Sequence, residues 1–369
     1  MENKRIRVAI THGDTNGIGY ELILKTFEAP EMLELCTPIV YGSPKAAAYH
    51  RKALNLETNF SIISSAEEAK DDRLNLLTTF DEEVKIELGQ PSRESGEAAL
   101  MALDRAMTDF RSGLYDVLVT APVDKANVEA DGFDFKGQTE YIQKCIGDGA
   151  EALTILLNER LRIGLLTDNR PFKDVIQAIT TEKIQTKVRL FAGSLKRDFR
   201  ISNPRIAVLS LNPGNEPGQE EKDIIAPAIG QLTEEGINAF GPYPADSFFG
   251  KGLYRSFDGV LAMYHDQGIT PFMTLSVTDG VELTTGLPLV RTAPALGTGF
   301  GIAGKGVADE SSFRTAIYDA IDICRNRASY DEPLGNPLKK LYHEKRDESD
   351  KVRFAIPKKH ENTNKEKQQ

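Results

Sequence analysis

Five short clusters of glycines and polar residues could carry chemistry in this sequence. Residues 13–19 (GDTNGIG) contain three glycines, which would let backbone N–H groups approach an anion at a helix start, or would form a tight turn. Residues 120–125 (TAPVDK) end in Asp124 and Lys125, a carboxylate and an ammonium that could bind a ligand or transfer a proton. A solvated turn would also contain these two residues, so both interpretations stay open.

The third and fourth clusters contain a hydroxyl and an imidazole. In residues 135–141 (FKGQTEY), Thr139 could donate a hydrogen bond to a phosphate or carboxylate, although Thr and Glu at a helix start are also ordinary capping residues. In residues 264–268 (YHDQG), His265 stands beside Asp266 and could act as a metal ligand or as an acid or base. A lone histidine is also often purely structural.

The fifth cluster combines an arginine with a glycine-rich loop. Residues 284–292 (TTGLPLVRT) contain Arg291, whose planar guanidinium is suited to an anion. Residues 297–306 (GTGFGIAGKG) could wrap a nucleotide or could form a flexible surface loop.

Apolar segments of strand length precede most of these clusters. We predict strands at residues 6–10, 38–41, 117–120, 153–158, 163–167, 206–211 and 259–264. We predict helices at residues 20–27, 46–53, 95–111, 183–199 and 313–326. Ser92 or Ser95 is expected to cap the helix at 95–111. The alternation of strands and helices predicts an α/β fold with a largely parallel sheet. Ligands in such folds bind beyond the carboxyl ends of the strands, where the clusters lie.

Composition excludes several other classes of protein. The 369 residues include 45 Lys and Arg and 55 Asp and Glu, which gives a net charge of −10. This acidity, together with the lack of a basic block in the sequence, argues against a general nucleic-acid binder. No run of about 18 apolar residues predicts a membrane span, and the N-terminal apolar run is too short for a signal peptide, so we expect a cytoplasmic protein. Three separated cysteines favour buried thiols over a disulfide framework.

Taken together and in this order, the clusters resemble the 4-hydroxythreonine-4-phosphate dehydrogenase family of pyridoxal phosphate biosynthesis. The matching segments are ITHGDTNGIGYE, VTAPVDK, FKGQTEY, GPYPADSFF, MYHDQG, GLPLVRT and LGTGFGIAGKG. They extend from about residue 5 to about residue 330, and YHDQG and the GLP element with its Arg-Thr are the most specific of them.

The resemblance implies a fold like those of isocitrate and isopropylmalate dehydrogenases, with two α/β/α domains around a cleft. It places residues 1–135 and 275–335 in a cofactor-side domain and residues 136–274 in a central substrate and dimer domain. The charged residues 340–369 are expected to form a partly disordered tail. The resemblance also implies a homodimer that completes each active site, with a small phosphorylated or carboxylate substrate and neither nucleic acid nor membrane as a partner.

The activity that the resemblance implies is oxidation of 4-hydroxythreonine 4-phosphate. NAD or NADP accepts a hydride from the secondary alcohol, a divalent metal (Zn, Mg or Mn) polarises that oxygen, and the β-keto acid can lose CO₂. The matched positions are Asp246, His265 and Lys125 as catalytic residues, Gln138, Thr139 and Arg291 for substrate, Gly297, Thr298, Gly304 and Lys305 for cofactor, and His265 for metal.

Five positions of the substrate and metal sites depart from the family pattern, and in the cofactor loop Leu296 and Gly301 replace a His and an acidic residue. Gln138 stands where the family has a substrate-contacting His, and Asn169 and Gly214 stand where it has two of its three metal-binding His. Met273 and Glu282 replace a substrate-binding Lys and Asn. Zinc needs about three N, S or O ligands besides an open position, and Glu282 would repel an anionic substrate. We therefore expect weak zinc binding and slow or absent turnover.

Other functions fit the same departures. The chain could be a diverged dehydrogenase acting on another small anionic substrate, or a ligand-binding paralogue without catalysis. A phosphate acyltransferase can share the broad fold, but YHDQG and GLPLVRT disfavour it. A rebuilt site for Mg²⁺ or Mn²⁺ could use Asp168, His265, Asp266 and Glu282.

Four matching residues predict that the pocket still binds a small anion. They are Thr139, Asp246, His265 and Arg291. Arg291 supplies a permanent charge, Asp246 could act as a general base, and His265 could carry a proton near neutral pH. The alternative is that all four residues serve packing and hydrogen bonding.

Overall fold

The structure is a computed structural model that describes residues 5–80, 84–128, 137–167, 170–214, 216–276 and 278–336. Its strands are β1 (Ile6–Thr11), β2 (Cys36–Gly42), β3 (Phe60–Ile63), β4 (Leu74–Thr78), β5 (Val117–Thr120), β6 (Leu153–Leu157), β7 (Arg162–Leu165), β8 (Arg205–Leu209), β9 (Asn238–Tyr243), β10 (Gly259–Ala262), β11 (Val281–Thr285) and β12 (Val290–Pro294). The predicted tail at 340–369 lies outside the described residues.

The α-helices alternate with these strands. They are α1 (Gly19–Thr26), α2 (Glu31–Leu35), α3 (Pro44–Ala53), α4 (Arg93–Arg111), α5 (Lys125–Val128), α6 (Gln138–Ile146), α7 (Val175–Ala178), α8 (Thr181–Arg197), α9 (Ala226–Glu234), α10 (Ala245–Gly250), α11 (His265–Leu275) and α12 (Ser311–Gly335). Short 3₁₀ turns lie at Ala66–Glu68, Phe172–Asp174 and Leu253–Ser256, and a π-helical turn lies at Glu221–Ile225.

The twelve strands of the described residues form one sheet with the order β3-β4-β2-β1-β5-β12-β11-β6-β7-β10-β8-β9. At one end of the sheet, the neighbouring strands β3, β4, β2, β1, β5 and β12 are all parallel. At the other end, β7, β10, β8 and β9 are parallel as well. Between these two parallel regions, β11 runs antiparallel to both of its neighbours, and β6 runs antiparallel to β7. The predicted α/β fold is confirmed.

The strands near the centre of the sheet form because their apolar runs are continuous. In β1, Val8, Ala9 and Ile10 are fully buried although successive side chains point to opposite faces. A parallel sheet covered by helices on both faces requires such runs, since neither face meets water. The apolar cores on the two faces therefore hold the strand ends, and the clusters that follow them, in fixed positions.

Helix α4 shows how local signals place a helix over the sheet. The Ser92 hydroxyl accepts a hydrogen bond from the Ser95 backbone N–H at 3.1 Å, which confirms Ser92 as the cap. The Ser95 hydroxyl instead donates to the Ser92 carbonyl at 2.8 Å. Ala98, Ala102 and Ala106 recur at helical spacing and are buried, so α4 lies close to the strands beneath it.

Two features differ from the sequence-based expectations. The strand predicted at 259–264 ends at Ala262, and His265 is the first residue of α11. His265 therefore lies at the N-terminal end of a helix. The sequence patterns also do not predict β3, β4, β9, β11 or β12, although β11 and β12 lie at the centre of the sheet.

The compact part of the chain extends to Asp331. Beyond it the structure describes residues 332–336, and 332–335 are helical. The predicted border between the cofactor-side and central domains falls between β11 and β6, which are neighbouring strands of the sheet. The division into two domains stays a prediction.

Candidate functional site

A cavity of about 280 Å³ lies on one face of the central strands. Side chains that are two residues apart on a strand share a face. Thr154 and Leu156 of β6, Glu282 of β11, and Arg291 and Ala293 of β12 line the cavity in this way. The antiparallel part of the sheet is thus the floor of the cavity.

The middle of α4, the first residues of α6 and α11, and the segment after β5 form the other walls of the cavity. The residues lining these walls are Ala99, Leu100 and Leu103 of α4, Gln138, Thr139 and Glu140 of α6, His265 and Ile269 of α11, and residues 120–123. Four residues that the sequence singled out therefore lie around one cavity: Gln138, Thr139, His265 and Arg291.

Arg291 is the most enclosed charged group of the cavity, with 5% of its side chain exposed. Its Nη1 donates to Glu282 Oε1 at 2.6 Å, and its Nε and Nη2 donate to Thr120 Oγ1 at 3.0 and 2.6 Å. A further hydrogen bond joins Nη1 to Thr284 Oγ1 at 3.3 Å. The guanidinium is therefore neutralised by a carboxylate of the same chain.

Strand register explains this pairing. In the antiparallel pair of β11 and β12, Thr284 stands opposite Arg291, and Glu282 lies two residues earlier on the same face. In the parallel pair of β12 and β5, Arg291 stands beside Leu118, and Thr120 follows two residues later on that face. Three strands thus direct their polar side chains at one guanidinium.

Gln138 and Thr139 lie at the start of α6, as the sequence predicts for a helix beginning there. The Gln138 Nε2 donates to the Ala121 carbonyl at 3.3 Å, and its Oε1 is buried without a hydrogen-bond partner. The Thr139 hydroxyl lies 3.5 Å from that of Thr284. The Gln138 amide oxygen could therefore accept a hydrogen bond from a ligand.

His265 lies at the edge of the cavity, with 37% of its side chain exposed. Its Nδ1 lies 2.8 Å from Asp266 Oδ1, and the carboxylate there orients the ring. Because Nδ1 is engaged by the neighbouring residue, Nε2 is the ring atom that could take a proton from a ligand.

One of the three metal-ligand positions that the resemblance implies has no donor atom in its side chain. Gly214 has no donor side chain, and a Cβ added there would meet no atom within 4 Å. Asn169 and its neighbour Asp168 lie outside the described residues. Within the described residues, no group of three His, Cys, Asp or Glu side chains could hold a metal.

Two predicted catalytic residues are not tested by this geometry. Asp246 is the second residue of α10 and is not among the residues lining the cavity. Lys125 begins α5, and its side chain lies outside the described part of the chain. Their catalytic roles stay predictions.

The predicted cofactor loop, residues 297–306, is docked against the first glycine turn. The Ile18 N–H donates to the Thr298 carbonyl at 3.0 Å, and a Cβ on Gly17 would lie 2.6 Å from the same oxygen. Lys305 Nζ donates to the Gly301 carbonyl at 2.7 Å. A Cβ on Gly297 or Gly301 would meet nothing within 4 Å, so these two positions face open space.

The first glycine turn has a structural role. The N–H groups of Asp14, Gly17 and Ile18 donate to backbone carbonyls of the chain. The buried Asp14 carboxylate accepts from the Asn16 N–H at 2.9 Å and from Asn127 Nδ2 at 3.0 Å. These donors are already used, so the turn is a junction between loops.

A buried histidine lies beneath this turn. His12 is fully buried, stacks on Tyr20 at a centroid distance of 5.0 Å, and has no hydrogen-bond partner at either ring nitrogen. Burial lowers the pKa of His12 to about 4, with the neighbouring His50 adding to the effect. His12 is therefore neutral at physiological pH and contributes packing.

Sequence reasoning missed Thr120 and Thr284 as partners of Arg291. The signal for Thr284 was available in residues 281–285 (VELTT), where Glu282 and Thr284 have the two-residue spacing of one strand face. Thr120 ends an apolar strand and has no such local signal. Its role depends on β12 lying beside β5.

Comparisons with known proteins agree with the resemblance. A model of the family described as "Pyridoxal phosphate biosynthetic protein PdxA" matches residues 34–320. The chain is similar to a 4-hydroxythreonine-4-phosphate dehydrogenase from Bacteroides thetaiotaomicron, with 54% identity over 358 residues, covering 96% of this chain and 98% of the relative. A protein of the same name from Sulfurihydrogenibium sp. is 37% identical, covering 87% of this chain and 99% of the relative.

Solved structures show the same similarity. The crystal structure of a 4-hydroxythreonine-4-phosphate dehydrogenase from Burkholderia phymatum has a TM-score of 0.69 and 32% identity, covering 87% of this chain and 99% of the relative.

Among the described residues, no helix combines the length and the apolar character needed to cross a membrane.

Proposed function

Because the chain belongs to the PdxA family of pyridoxal phosphate biosynthetic proteins, we propose that it is a diverged NAD- or NADP-dependent dehydrogenase of a small phosphorylated hydroxy acid. 4-Hydroxythreonine 4-phosphate, which its relatives are named for, is the substrate of first choice. The observation that carries this proposal is the cavity shared by Gln138, Thr139, His265 and Arg291.

The residues around the cavity support an alcohol oxidation. A bound nicotinamide supplies the hydride acceptor. Thr139 and Gln138 would orient the polar groups of the substrate through a hydroxyl and a free amide oxygen. His265, with Nδ1 held by Asp266, would take the hydroxyl proton at Nε2 as the hydride leaves the carbon. The apolar wall of α4 would keep water away from that carbon.

The cofactor and assembly follow the family expectation. Gly297, Thr298, Gly304 and Lys305 would hold the nucleotide in the loop docked on the first turn. We expect two copies of the chain to associate and the protein to act in the cytoplasm. A mass of one chain, 40.7 kDa, in light scattering at micromolar concentration would contradict the dimer.

A ligand-binding role without turnover is the second candidate. The Arg291–Glu282 ion pair favours it, because the cationic side chain that could bind an anion is already paired. Gly214 and Met273 favour it as well, since neither can supply the metal ligand or the ammonium expected at its position. On this reading the cavity recognises a small molecule and leaves it unchanged.

Oxidation of 4-hydroxythreonine 4-phosphate by the purified chain tests the proposal. NADH or NADPH formation is followed by absorbance with Mg²⁺, Mn²⁺ or Zn²⁺ added, and a family member that has all three metal-binding His serves as the reference. We expect turnover at least about 100-fold slower than in that reference enzyme, since a poor metal site removes several kcal/mol of transition-state stabilisation. We also expect His265→Ala to abolish it. Substrate binding with no turnover would overturn the proposal in favour of the second candidate.

A further inference from the structure

We infer that Glu282 determines the ligand specificity of the cavity by occupying the anion-binding face of Arg291. The inference rests on the proposed function only in using the same cavity. It predicts that the wall formed by β11 and β12 accepts a hydrogen-bond donor of the ligand, a hydroxyl or an ammonium, and that the anionic groups of the proposed substrate bind elsewhere along the lining. The phosphate of the proposed substrate would have to displace Glu282 to reach Arg291.

The hydrogen bonds of Arg291 support this inference. A guanidinium has five N–H donors, and four hydrogen bonds join Arg291 to Glu282, Thr120 and Thr284. The bond to Glu282 is charge-assisted, and such bonds are about twice as strong as neutral ones. An incoming anion therefore competes with a carboxylate that is already attached to the chain.

The exposure of the two side chains differs in the same direction. Arg291 is 5% exposed, whereas Glu282 is 32% exposed and also lines the cavity. Both side chains line the cavity, and the carboxylate is the more exposed of the two charged groups. Its accessibility favours a hydroxyl or ammonium group of the ligand at this wall.

The charge of the whole lining points the same way. One arginine faces two glutamates, Glu282 and Glu140, around the cavity. Met273 of α11 replaces a lysine that the resemblance implies, so this position contributes no positive charge. Its side chain is exposed. Among the described residues that line the cavity, two carboxylates therefore accompany one guanidinium.

Titration calorimetry with inorganic phosphate tests the inference on the full chain. Glu282→Gln should bind phosphate at least about tenfold more tightly than the unchanged protein, because it frees one charge-assisted interaction of Arg291. Glu140→Gln is the matched control, since it changes the charge of the lining equally and leaves the Glu282 pair in place. We expect less than about a threefold change in that control.

Two further variants keep the result interpretable. Glu282→Asn is a shorter neutral substitution for the case that Glu282→Gln folds poorly. The double variant with Glu282→Gln and Arg291→Gln should lose the gained phosphate affinity. The inference is overturned if neither Glu282 variant binds phosphate more tightly, or if Glu140→Gln gains as much.

The readout separates this inference from the proposed function. Phosphate binding requires no turnover, so a gain in Glu282→Gln supports the inference even if no variant oxidises the substrate. Conversely, turnover in the unchanged protein with no gain in Glu282→Gln would support the dehydrogenase and reject the role of Glu282.

Discussion

Two arginine–carboxylate pairs lie on opposite faces of the same strand. Thr284 and Thr285 are consecutive residues of β11, so their side chains point to opposite faces. The Thr284 hydroxyl contacts Arg291 in the cavity, whereas the Thr285 hydroxyl donates to Asp198 Oδ2 at 3.2 Å on the other face. The two pairs share a strand and differ in how completely they are enclosed.

The pair on the other face, Arg327 with Asp198, is buried, and its hydrogen bonds are made within the fold. Arg327 Nε donates to Asp198 Oδ1 at 2.7 Å, and their side chains are 8% and 2% exposed. Ser194 Oγ also donates to Asp198 at 2.7 Å, and Arg327 Nη1 reaches the Leu287 carbonyl at 3.3 Å. Every group in that pair is bonded within the fold. The two pairs thus differ in the exposure of the carboxylate, which is 2% for Asp198 and 32% for Glu282.

Breaking the enclosed pair should have the largest effect. Arg327→Ala leaves the Asp198 charge buried without its cation, and we expect a loss of about 3–5 kcal/mol in the free energy of unfolding. Urea denaturation measures it. The control is Arg197→Ala, because Arg197 pairs with Asp331 at the surface, where the two side chains are 40% and 47% exposed. That variant should lose only about 0–1 kcal/mol. Similar losses in both variants would remove the distinction.

Removing Glu282 should cost less stability. In Glu282→Ala, Arg291 keeps its bonds to Thr120 and Thr284, and the cavity admits water or an anion. We expect a loss of about 1–2 kcal/mol in the free energy of unfolding. Added phosphate should raise the melting temperature more in this variant than in the unchanged protein. A loss as large as that of Arg327→Ala would mean that the cavity pair is also structural.

The last comparison concerns the pH dependence of stability, at a carboxylate near an arginine that it does not bond. Asp319 Oδ2 and Arg162 Nε are both buried without hydrogen-bond partners. Burial, with Asp322 adding to it, raises the pKa of Asp319 to about 7 from 3.8. The folded state then binds more protons than the unfolded state between those values, so this group's contribution to stability falls as pH rises from about 4 to 7.

Substitution of Asp319 checks that sign. Asp319→Asn should remove this fall, so its free energy of unfolding relative to the unchanged protein should increase from pH 4 to pH 7. Urea denaturation at several pH values gives the difference. Asp322→Asn should reduce the fall without removing it, because the Asp322 charge only adds to the effect of burial on the pKa of Asp319. A difference that is flat with pH would show that Asp319 is ionised normally in the fold.

Much of the fold could be predicted because its strands are apolar and its helices amphipathic. The runs at β1, β5 and β10 are buried on both faces, and Ser92 caps α4 as its side chain indicates. The start of α11 at His265 has no such signal, since its N-cap residue, Tyr264, makes no capping hydrogen bond with its side chain. Strands β11 and β12 are short and mixed in polarity, so their periodicity is weak.

The members of the site could be predicted better than their pairing. The motifs indicate Gln138, Thr139, His265 and Arg291, and these residues line one cavity. Glu282 was expected to repel an anion, and the structure adds that it bonds to Arg291. That bond depends on the register of two strands and on the approach of a third. Long-range geometry of this kind leaves no local pattern in the sequence.

The docking of residues 297–306 bears on the entropy of nucleotide binding. Their attachment to the first turn, through the Ile18 N–H and the Thr298 carbonyl, is made by the backbone of the chain alone. A loop that is already fixed loses few conformations when a ligand arrives, whereas a loop that orders on binding loses about 1–2 kcal/mol per residue. A nucleotide bound there would therefore meet a preformed surface, and its affinity would depend on contacts more than on loop ordering.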